Sequence, residues 1–205
     1  MSGLYDRLVL PRLLALAMRA PRLLPLRAEA GRAAAGVVLE LGIGSGLNLP
    51  FYGTSVRAVI GVDPSAVLRD LAAARAAGLG IPLDLRAGRA EALPVADAEI
   101  DSVVSTWTLC SVADPAAALA EVRRVLRPGG LLVFAEHGLA PDATVARWQR
   151  RLTPCWQHLA GGCHLDRRMD ALLGAAGFRI ERLETLYLGG PRLATFMYRG
   201  TAHPR

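Results

Sequence analysis

The sequence predicts an α/β fold, a doubly wound parallel sheet with helices on both faces. Apolar strand-like runs alternate with helix-like segments at the spacing of βαβ units over most of the chain. A glycine-rich turn follows the first strand, and an aspartate ends the second. No repeat, low-complexity tract or linker interrupts this pattern, so we expect a single domain over residues 1–205.

The N-terminal segment LPRLLALAMRAPRLL predicts a helix with its leucines on one side and Pro11 near its start. Four arginines (7, 12, 19 and 22) and three prolines (11, 21 and 25) argue against both a signal peptide and a membrane-spanning helix. We expect the segment to pack on the protein's own surface. Peripheral contact with a membrane through its apolar side is the alternative.

Five apolar runs predict the central strands of the sheet: 37–41, 57–62, 81–87, 100–106 and 131–137. An alanine-rich helix is predicted over 63–78 and ends at Gly78. The next helix has Asp114 as its N-cap and Pro115 as its first residue, and the Pro-Gly-Gly at 128–130 ends it. The last third predicts a helix around Thr144–His158, a helix near Met169–Ala176, and strands at 178–188 and 192–198.

The charge and cysteine content exclude several classes of function. The formal net charge is +6, but all 24 basic residues are arginines, scattered without runs or interleaved aromatic residues, so we expect no nucleic-acid partner. The lack of lysine excludes a P-loop, a Schiff base and a pyridoxal phosphate anchor. The three cysteines have no C-x-x-C spacing and predict reduced thiols in a cytoplasmic protein without a metal site.

The turn after the first strand contains Gly42, Gly44 and Gly46. In a doubly wound sheet, ligands bind beyond the carboxyl ends of the strands, where glycine lets the main chain approach them closely. A tight turn without a ligand is the alternative. Asp63 ends the second strand about 20 residues later, where a carboxylate accepts hydrogen bonds from the hydroxyls of an adenosine ribose. A helix N-cap is its alternative role.

The spacing of these glycines argues against a pyrophosphate ligand. Dinucleotide sites usually have G-x-G-x-x-G, whereas the last interval here is short and Leu47 follows the third glycine. Glu40 precedes the turn, and its carboxylate would repel a pyrophosphate but suit a cationic amino-acid group. The residues therefore favour S-adenosylmethionine as the cofactor, with a nicotinamide dinucleotide oxidoreductase as the disfavoured alternative.

Four segments resemble successive motifs of class I S-adenosylmethionine-dependent methyltransferases: LELGIGSGLN, GVDPS, GRAEALPVADAEIDSVVSTWTLCSV and EVRRVLRPGGLLVFAEH. Within the ubiquinone-biosynthesis-like branch, STWTLCSV, AEHG and RWQRRLTPCWQHLAGGCHLDR are similar to the methyltransferase-like-seven group, whose characterised members methylate alkyl thiols. The resemblance implies a Rossmann-like sheet of about seven strands with a reversed last strand. It also implies an N-terminal helical cap over the acceptor cleft (1–35), a cofactor-binding core (36–140) and acceptor-side helices with the final strands (141–205).

The resemblance also implies roles for individual residues around the cofactor. The three glycines underlie its methionine portion, Glu40 holds the loop and the ammonium group, and Asp63 binds the ribose. The other residues implied in cofactor binding are Asn48, Pro64, Ala90, Glu91 and Thr106, with Ser65 beside the adenine. Many relatives have aspartate where this chain has Arg89, so the contact to the adenine amino group differs here.

Residues after strands four and five are the candidates for the acceptor side. Trp107, Leu109 and Cys110 are predicted to line the acceptor, although burial in the core is the simplest role for Cys110. His137 is the first candidate for a catalytic base, and a histidine hydrogen-bonded to backbone is its alternative. His164, on a loop suited to a lid, is the second candidate.

The sequence therefore predicts methyl transfer to a small-molecule acceptor, most simply a thiol. Because a thiol has a pKa of about 8.5, a useful fraction is already thiolate and a weak base suffices. The alternatives are an O-, C- or N-methyltransferase acting on a quinone-like or other small acceptor, and a noncatalytic binding domain with the same fold.

Overall fold

Seven strands form one sheet in the computed structural model, which describes residues 9–205. The order is β3-β2-β1-β4-β5-β7-β6, with bounds β1 Gly36–Leu41, β2 Val56–Asp63, β3 Leu83–Ala87, β4 Ile100–Thr106, β5 Leu126–His137, β6 Phe178–Tyr187 and β7 Phe196–Pro204. Strands β1 to β5 are parallel to one another, whereas β7 is antiparallel to both β5 and β6. The predicted fold class, with its reversed last strand, is confirmed.

Helices cover both faces of the sheet: α1 Leu10–Ala17, α2 Leu24–Ala33, α3 Ala66–Ala76, α4 Pro115–Val125, α5 Ala143–Leu159 and α6 Met169–Ala175. Alternate residues of β1 enter different cores, because successive strand side chains point to opposite faces. Leu39 and Leu41 pack in the larger core with residues of α4 and α6. Val38 packs in the second core with residues of α2 and α3.

The N-terminal segment differs from the single helix that the sequence predicts. Helix α1 ends at Ala17, a short 3-10 turn follows at Pro21–Leu23, and α2 begins at Leu24. Pro21 and Pro25 cause this break, because a proline inside a helix has no N–H to donate and is tolerated only in a first turn. Arg7 lies outside the described residues, as does the start of the predicted cap.

Two strands also differ from their predicted bounds. Strand β5 begins at Leu126, before the predicted Pro-Gly-Gly break, because a bulge at 127–130 with Gly129 at φ +78° lets the chain leave and rejoin the strand. The last strand predicted over 192–198 exists, but its bounds are wrong. Residues Arg192–Ala194 form a 3-10 turn, and β7 extends to Pro204, where Ala202 is fully buried in the sheet.

The caps of two helices follow the sequence. The Asp114 side chain accepts hydrogen bonds from the N–H groups of Ala116 and Ala117 and caps α4 as predicted, with Pro115 as the first helical residue. The Ser65 side chain caps α3. Across residues 9–205, none of the helices has the length and apolarity needed to cross a membrane. The division into cap, core and acceptor side stays a prediction.

Candidate cofactor and acceptor sites at the carboxyl edge of the sheet

The glycine turn has a left-handed backbone at all three glycines, with φ +63° at Gly42, +55° at Gly44 and +72° at Gly46. A Cβ on Gly42 would lie 2.5 Å from Thr108 Oγ1, and one on Gly46 would lie 2.8 Å from Leu49 Cδ1. A Cβ on Gly44 would meet only the Gly42 carbonyl oxygen, at 3.9 Å. The outer two glycines are therefore needed for packing, whereas Gly44 borders open space that a ligand can occupy.

Asp63 lies at the end of β2 directly beside this turn. Its Oδ2 accepts the Gly44 N–H at 3.0 Å, and its Oδ1 accepts the Ser65 N–H at 2.8 Å. The side chain is 6% exposed, and burial raises its pKa. Because Ser65 caps the helix, the N-cap alternative for Asp63 is wrong. Each carboxylate oxygen keeps a further lone pair, which suits a diol such as a ribose.

Glu40 anchors the glycine turn from behind. Its Oε1 accepts the Asn48 Nδ2–H at 2.8 Å, and its Oε2 accepts the Tyr52 hydroxyl at 2.9 Å. The same Asn48 amide donates to Thr106 Oγ1 at 2.9 Å. Glu40 therefore holds the loop through Asn48 and Tyr52, and its predicted contact with the cofactor's ammonium group stays a prediction. Asn48 is fully buried and hydrogen-bonded within the protein, so its direct contact with the cofactor stays a prediction.

Arg27 of α2 completes this network, although no sequence motif indicates such a role for it. Its Nη1 donates to Asn48 Oδ1 at 2.8 Å, its Nη2 donates to the Met18 carbonyl at 3.2 Å, and the guanidinium lies 4.7 Å from the Trp107 ring centre. Burial lowers the Arg27 pKa to about 10, and Nε is buried without a partner. The N-terminal helices therefore help to fix the cofactor turn.

The residues predicted near the adenine lie in the turn after β3 and at the start of α3. Ala90 is buried, and Pro64 is exposed. Glu91 Oε1 accepts the N–H groups of Ala113 and Asp114 at 3.0 and 3.3 Å, which ties this turn to the start of α4. The contacts of these residues with adenine stay predictions.

Glu136 organises the turn after β4. Its carboxylate is fully buried at the end of β5 and accepts one hydroxyl and three backbone N–H groups, from Ser105 at 2.7 Å, Thr108 at 3.1 Å, Leu109 at 3.1 Å and Cys110 at 3.2 Å. Trp107, at φ +53°, turns the chain away from the sheet, and these N–H groups then find no strand partner. Glu136 therefore has a structural role, because it supplies the acceptor that these groups need.

The acceptor-side candidates divide into two groups. Leu109 and Cys110 are each 1% exposed and belong to the larger core, so their contact with an acceptor stays a prediction, whereas Trp107 is partly exposed. His137 is 4% exposed. Its Nδ1 lies 3.9 Å from Cys163 Sγ, and its Nε2 is buried and has no hydrogen-bond partner among residues 9–205. The alternative interpretation of His137 was a histidine hydrogen-bonded to the backbone. Among residues 9–205, the hydrogen bonds of the His137 ring include no such contact.

His164 lies on the segment after α5, as predicted. Its Nδ1 lies 3.1 Å from Gln157 Nε2 and 3.8 Å from Asp166 Oδ1. Burial and then Arg167 lower its pKa. The His164 ring thus contacts residues close to it in sequence. His137, in contrast, lies beside the pair formed by Cys110 and Cys163. Within residues 9–205, no group of three or more His, Cys, Asp and Glu side chains is arranged to hold a metal ion.

These residues fit S-adenosylmethionine. The bare backbone at Gly44 leaves room for the methionine chain, Asp63 has acceptor capacity for the ribose hydroxyls, and Glu40 supplies the negative charge that an ammonium group requires. The positively charged Arg27 also acts on Glu40, but its guanidinium is hydrogen-bonded to Asn48 and Met18.

Comparison with known proteins agrees with this geometry. The family model described as "Methyltransferase domain" matches residues 39–134. Rat thiol S-methyltransferase TMT1B is 39% identical over 153 residues, which are 72% of this chain and 62% of that protein. The chain thus spans less than two thirds of the length of this relative.

Two further proteins are matched over more of their own length than rat TMT1B is. Phosphatidylethanolamine N-methyltransferase of Cereibacter sphaeroides is 31% identical over 79% of this chain and 78% of that protein. The crystal structure of an S-adenosylmethionine-dependent methyltransferase from Mesorhizobium loti has the same fold, with a TM-score of 0.66 and 20% identity over 91% of this chain and all of that chain. This chain belongs to the class I S-adenosylmethionine-dependent methyltransferases.

Proposed function

We propose that this protein transfers the methyl group of S-adenosylmethionine to the sulfur of a small-molecule thiol. We propose a thiol as the acceptor because the chain is 39% identical to a thiol S-methyltransferase over 153 residues. The site at the carboxyl edge of the sheet supplies groups for both halves of the reaction. In this proposal Asp63, Glu40 and Gly44 bind the cofactor, and His137 Nε2, which has no hydrogen-bond partner among residues 9–205, accepts the proton.

The bound cofactor supplies an electrophilic methyl group on a sulfonium. The protein's own part is to fix the two reactants in line and to keep water away. Asp63 and Gly44 are already joined by a hydrogen bond, so the ribose and methionine ends of the site have a fixed spacing before any ligand binds. Such preorganisation lowers the entropic cost of alignment.

His137 is the base in this proposal. A neutral imidazole with Nδ1–H directed at Cys163 Sγ leaves the Nε2 lone pair to accept the acceptor's proton. The Cys163 sulfur thereby fixes the tautomer of the His137 imidazole, as a carboxylate does for a catalytic histidine in other enzymes. His164 is the weaker candidate, because the Gln157 amide donates to its Nδ1, which leaves the proton of the neutral ring on Nε2.

The N-terminal cap is part of the same proposal. Helix α1 packs against α3 on the cofactor side, and its Leu14 lies so close to Gly161 that a Cβ there would be 2.7 Å from Leu14 Cδ1. The helix therefore joins the cofactor side to the segment that carries Cys163 and His164. We propose that it closes the acceptor cleft against water.

One experiment tests the acceptor and the base together. Alkyl thiols, phenols, amines and demethylated quinones are offered to the full chain with S-adenosylmethionine, and methylated products are measured by mass spectrometry. We expect S-methylation of alkyl thiols. The substitution His137→Gln should lower kcat at pH 7 by about tenfold to a hundredfold. The loss should shrink towards pH 9, where the acceptor is already ionised.

The exposed His158 of α5 provides a matched control, and His158→Gln should leave kcat unchanged. Equal rates for the two variants would contradict the role of His137. Methylation of oxygen or carbon acceptors alone would contradict the thiol proposal. Methylation of amines alone would favour the second candidate, an N-methyltransferase, which the 31% identity with a phosphatidylethanolamine N-methyltransferase supports.

The buried Glu40 makes cofactor affinity depend on pH. Burial raises its pKa to about 7. A protonated Glu40 offers no charge to the cofactor's ammonium group, so we expect the Kd of S-adenosylhomocysteine to rise about tenfold from pH 8 to pH 6. In the ligand-free protein, the raised pKa of Glu40 stabilises the folded state at low pH. This stabilisation is lost as the pH rises from about 4.5 to 7, because the unfolded chain releases the Glu40 proton at a lower pH than the folded chain does.

Calorimetric titration at pH 6, 7 and 8 measures this dependence, with Glu40→Gln expected to flatten it. The exposed Glu181 is the matched control, and Glu181→Gln should keep the profile of the unsubstituted chain. A Kd that does not change with pH in the unsubstituted chain would show that Glu40 does not pair with the ammonium group.

We further propose a cytoplasmic location and a peripheral membrane contact through the N-terminal segment. The three free thiols support a reducing compartment, and the exposed Leu13 and Leu16 of α1 offer apolar contact area. Cell fractionation tests both parts, since recovery in an oxidising compartment would contradict the first. Failure of the full chain to float with lipid vesicles would contradict the second.

A further inference from the structure

Two of the three thiols meet beside His137. Cys110, in the turn after β4, and Cys163, on the segment after α5, have their sulfur atoms 3.7 Å apart. The two segments are held together by the His164 N–H, which donates to the Cys110 carbonyl at 2.8 Å. The backbones also approach closely at Gly162, where a Cβ would lie 2.9 Å from the Ser111 carbonyl oxygen. The two sulfurs are therefore kept together by the surrounding main chain.

The two thiols differ in exposure and acidity. Cys110 is fully buried, and its pKa is raised, first by its hydrogen bond with Cys163 and then by burial. Cys163 is partly exposed, and its pKa is lowered to about 5, first by Cys110 and then by His137 against the effect of burial. Cys163 is therefore both the more accessible and the more acidic thiol of the pair, and Cys110 is the one that keeps its proton more firmly.

We propose that Cys163 and Cys110 form a thiol–disulfide exchange site, in which Cys163 attacks a small-molecule disulfide and Cys110 resolves the product. A partly exposed thiolate with a second thiol next to it is the arrangement that this chemistry requires. The third cysteine, Cys155, is exposed on α5 and is not needed for this chemistry. The proposal does not depend on methyl transfer.

The exchange takes two balanced steps. The Cys163 thiolate attacks one sulfur of the disulfide R–S–S–R, a Cys163–S–R bond forms, the S–S bond of the reagent breaks, and one R–S⁻ leaves. Cys110 then attacks Cys163 Sγ, the bond from Cys163 to S–R breaks, and the second R–S⁻ leaves and takes up the Cys110 proton. The protein loses two electrons and gains a Cys110–Cys163 disulfide, and the reagent is reduced to two thiols.

The first step prepares the second. The largest cause of the raised Cys110 pKa is its hydrogen bond with the sulfur of Cys163, the more acidic thiol. Once Cys163 is in a mixed disulfide, its sulfur is uncharged and this cause disappears, so Cys110 ionises more readily. The sulfurs then need to approach only from 3.7 Å to the length of a disulfide bond, about 2.05 Å.

If the proposed methyl transfer is also correct, the released thiol belongs to the acceptor class of the same protein. It leaves beside His137, whose Nδ1 lies 3.9 Å from the attacking sulfur. This connection rests on the proposed function, whereas the exchange itself has its own readout and can succeed where methylation fails.

The test uses the full reduced chain with Cys155→Ser and the chromogenic disulfide 4,4′-dithiodipyridine. We expect release of two thiopyridones per chain, no retained pyridine adduct, and a Cys110–Cys163 link in the tryptic mass map. The rate should fall less than about twofold from pH 8 to pH 6, because a thiol with a pKa near 5 stays ionised. For N-acetylcysteine, an ordinary thiol measured in parallel, the rate should fall by roughly 75-fold.

Two further variants assign the roles. Cys110→Ser with Cys155→Ser should release one thiopyridone and keep the adduct on Cys163. Cys163→Ser with Cys155→Ser should release none until the chain is unfolded in guanidinium. Thermal melts confirm that each variant is folded, and the mass map of the Cys155→Ser chain decides the proposal without them. An adduct retained on Cys163 in that chain, or a pH dependence like that of N-acetylcysteine, would overturn it.

Discussion

Replacing Asp63 with alanine should weaken binding of S-adenosylhomocysteine by at least about 100-fold and abolish measurable methyl transfer. The carboxylate is placed to accept two hydrogen bonds from ribose hydroxyls, and bonds to a charged group contribute about 1.5–3 kcal/mol each. The same side chain accepts the Gly44 N–H at 3.0 Å, so its loss also releases the glycine turn. Titration calorimetry measures the affinity directly.

A matched aspartate and a conservative variant separate this effect from general destabilisation. Asp70 is exposed on α3, and Asp70→Ala should bind S-adenosylhomocysteine as the unsubstituted chain does. Asp63→Asn keeps the side-chain shape with one acceptor oxygen and should fall between the two. An Asp63→Ala protein that binds within about threefold of the unsubstituted chain would remove Asp63 from the ribose site.

Replacing Glu136 with alanine should destabilise the fold more than most single substitutions. The change leaves four donors around a fully buried position without an acceptor, namely the Ser105 hydroxyl and the N–H groups of residues 108–110. Buried polar groups without partners cost about 1–3 kcal/mol each, and relaxation recovers part of this, so we expect a loss of about 3–5 kcal/mol. The midpoint of thermal unfolding should fall by roughly 10 °C.

The control for this prediction is an exposed glutamate on the same sheet. Glu181 of β6 is exposed, and Glu181→Ala should change the free energy of unfolding by less than about 0.5 kcal/mol. Glu136→Gln keeps one acceptor oxygen and should recover part of the stability. A midpoint of thermal unfolding within 2 °C of that of the unsubstituted chain corresponds to a loss of about 1 kcal/mol at most in the free energy of unfolding. Such a result for the Glu136→Ala protein would show that the turn does not depend on this carboxylate.

The central strands could be predicted because each is a continuous apolar run between clear turn signals. The run 37–41 is buried on both faces of the sheet, and Asp114 with Pro115 marks the start of α4. The last strand was misplaced because its burial depends on insertion between β5 and β6, a long-range pairing that local periodicity does not encode. Its reversed direction was implied by the family resemblance alone.

The cofactor residues were predictable to the extent that they lie next to each other in sequence or follow a fixed interval. The glycine turn, Glu40 and Asp63 belong to this group. Arg27 contacts Asn48 from 21 residues away, and Cys163 meets Cys110 across 53 residues, so no local pattern reveals either contact. One signal was available for Glu136, since a carboxylate inside the apolar run LLVFAEH needs several donors if it is buried.

The most direct test of the account is calorimetric titration of the full chain with S-adenosylhomocysteine and, separately, with NADH. The glycine turn flanked by Glu40 and Asp63 predicts a single site for S-adenosylhomocysteine and no heat of binding with NADH. Binding of NADH in place of S-adenosylhomocysteine, or binding of neither, would contradict the assignment of this crevice to a sulfonium nucleoside.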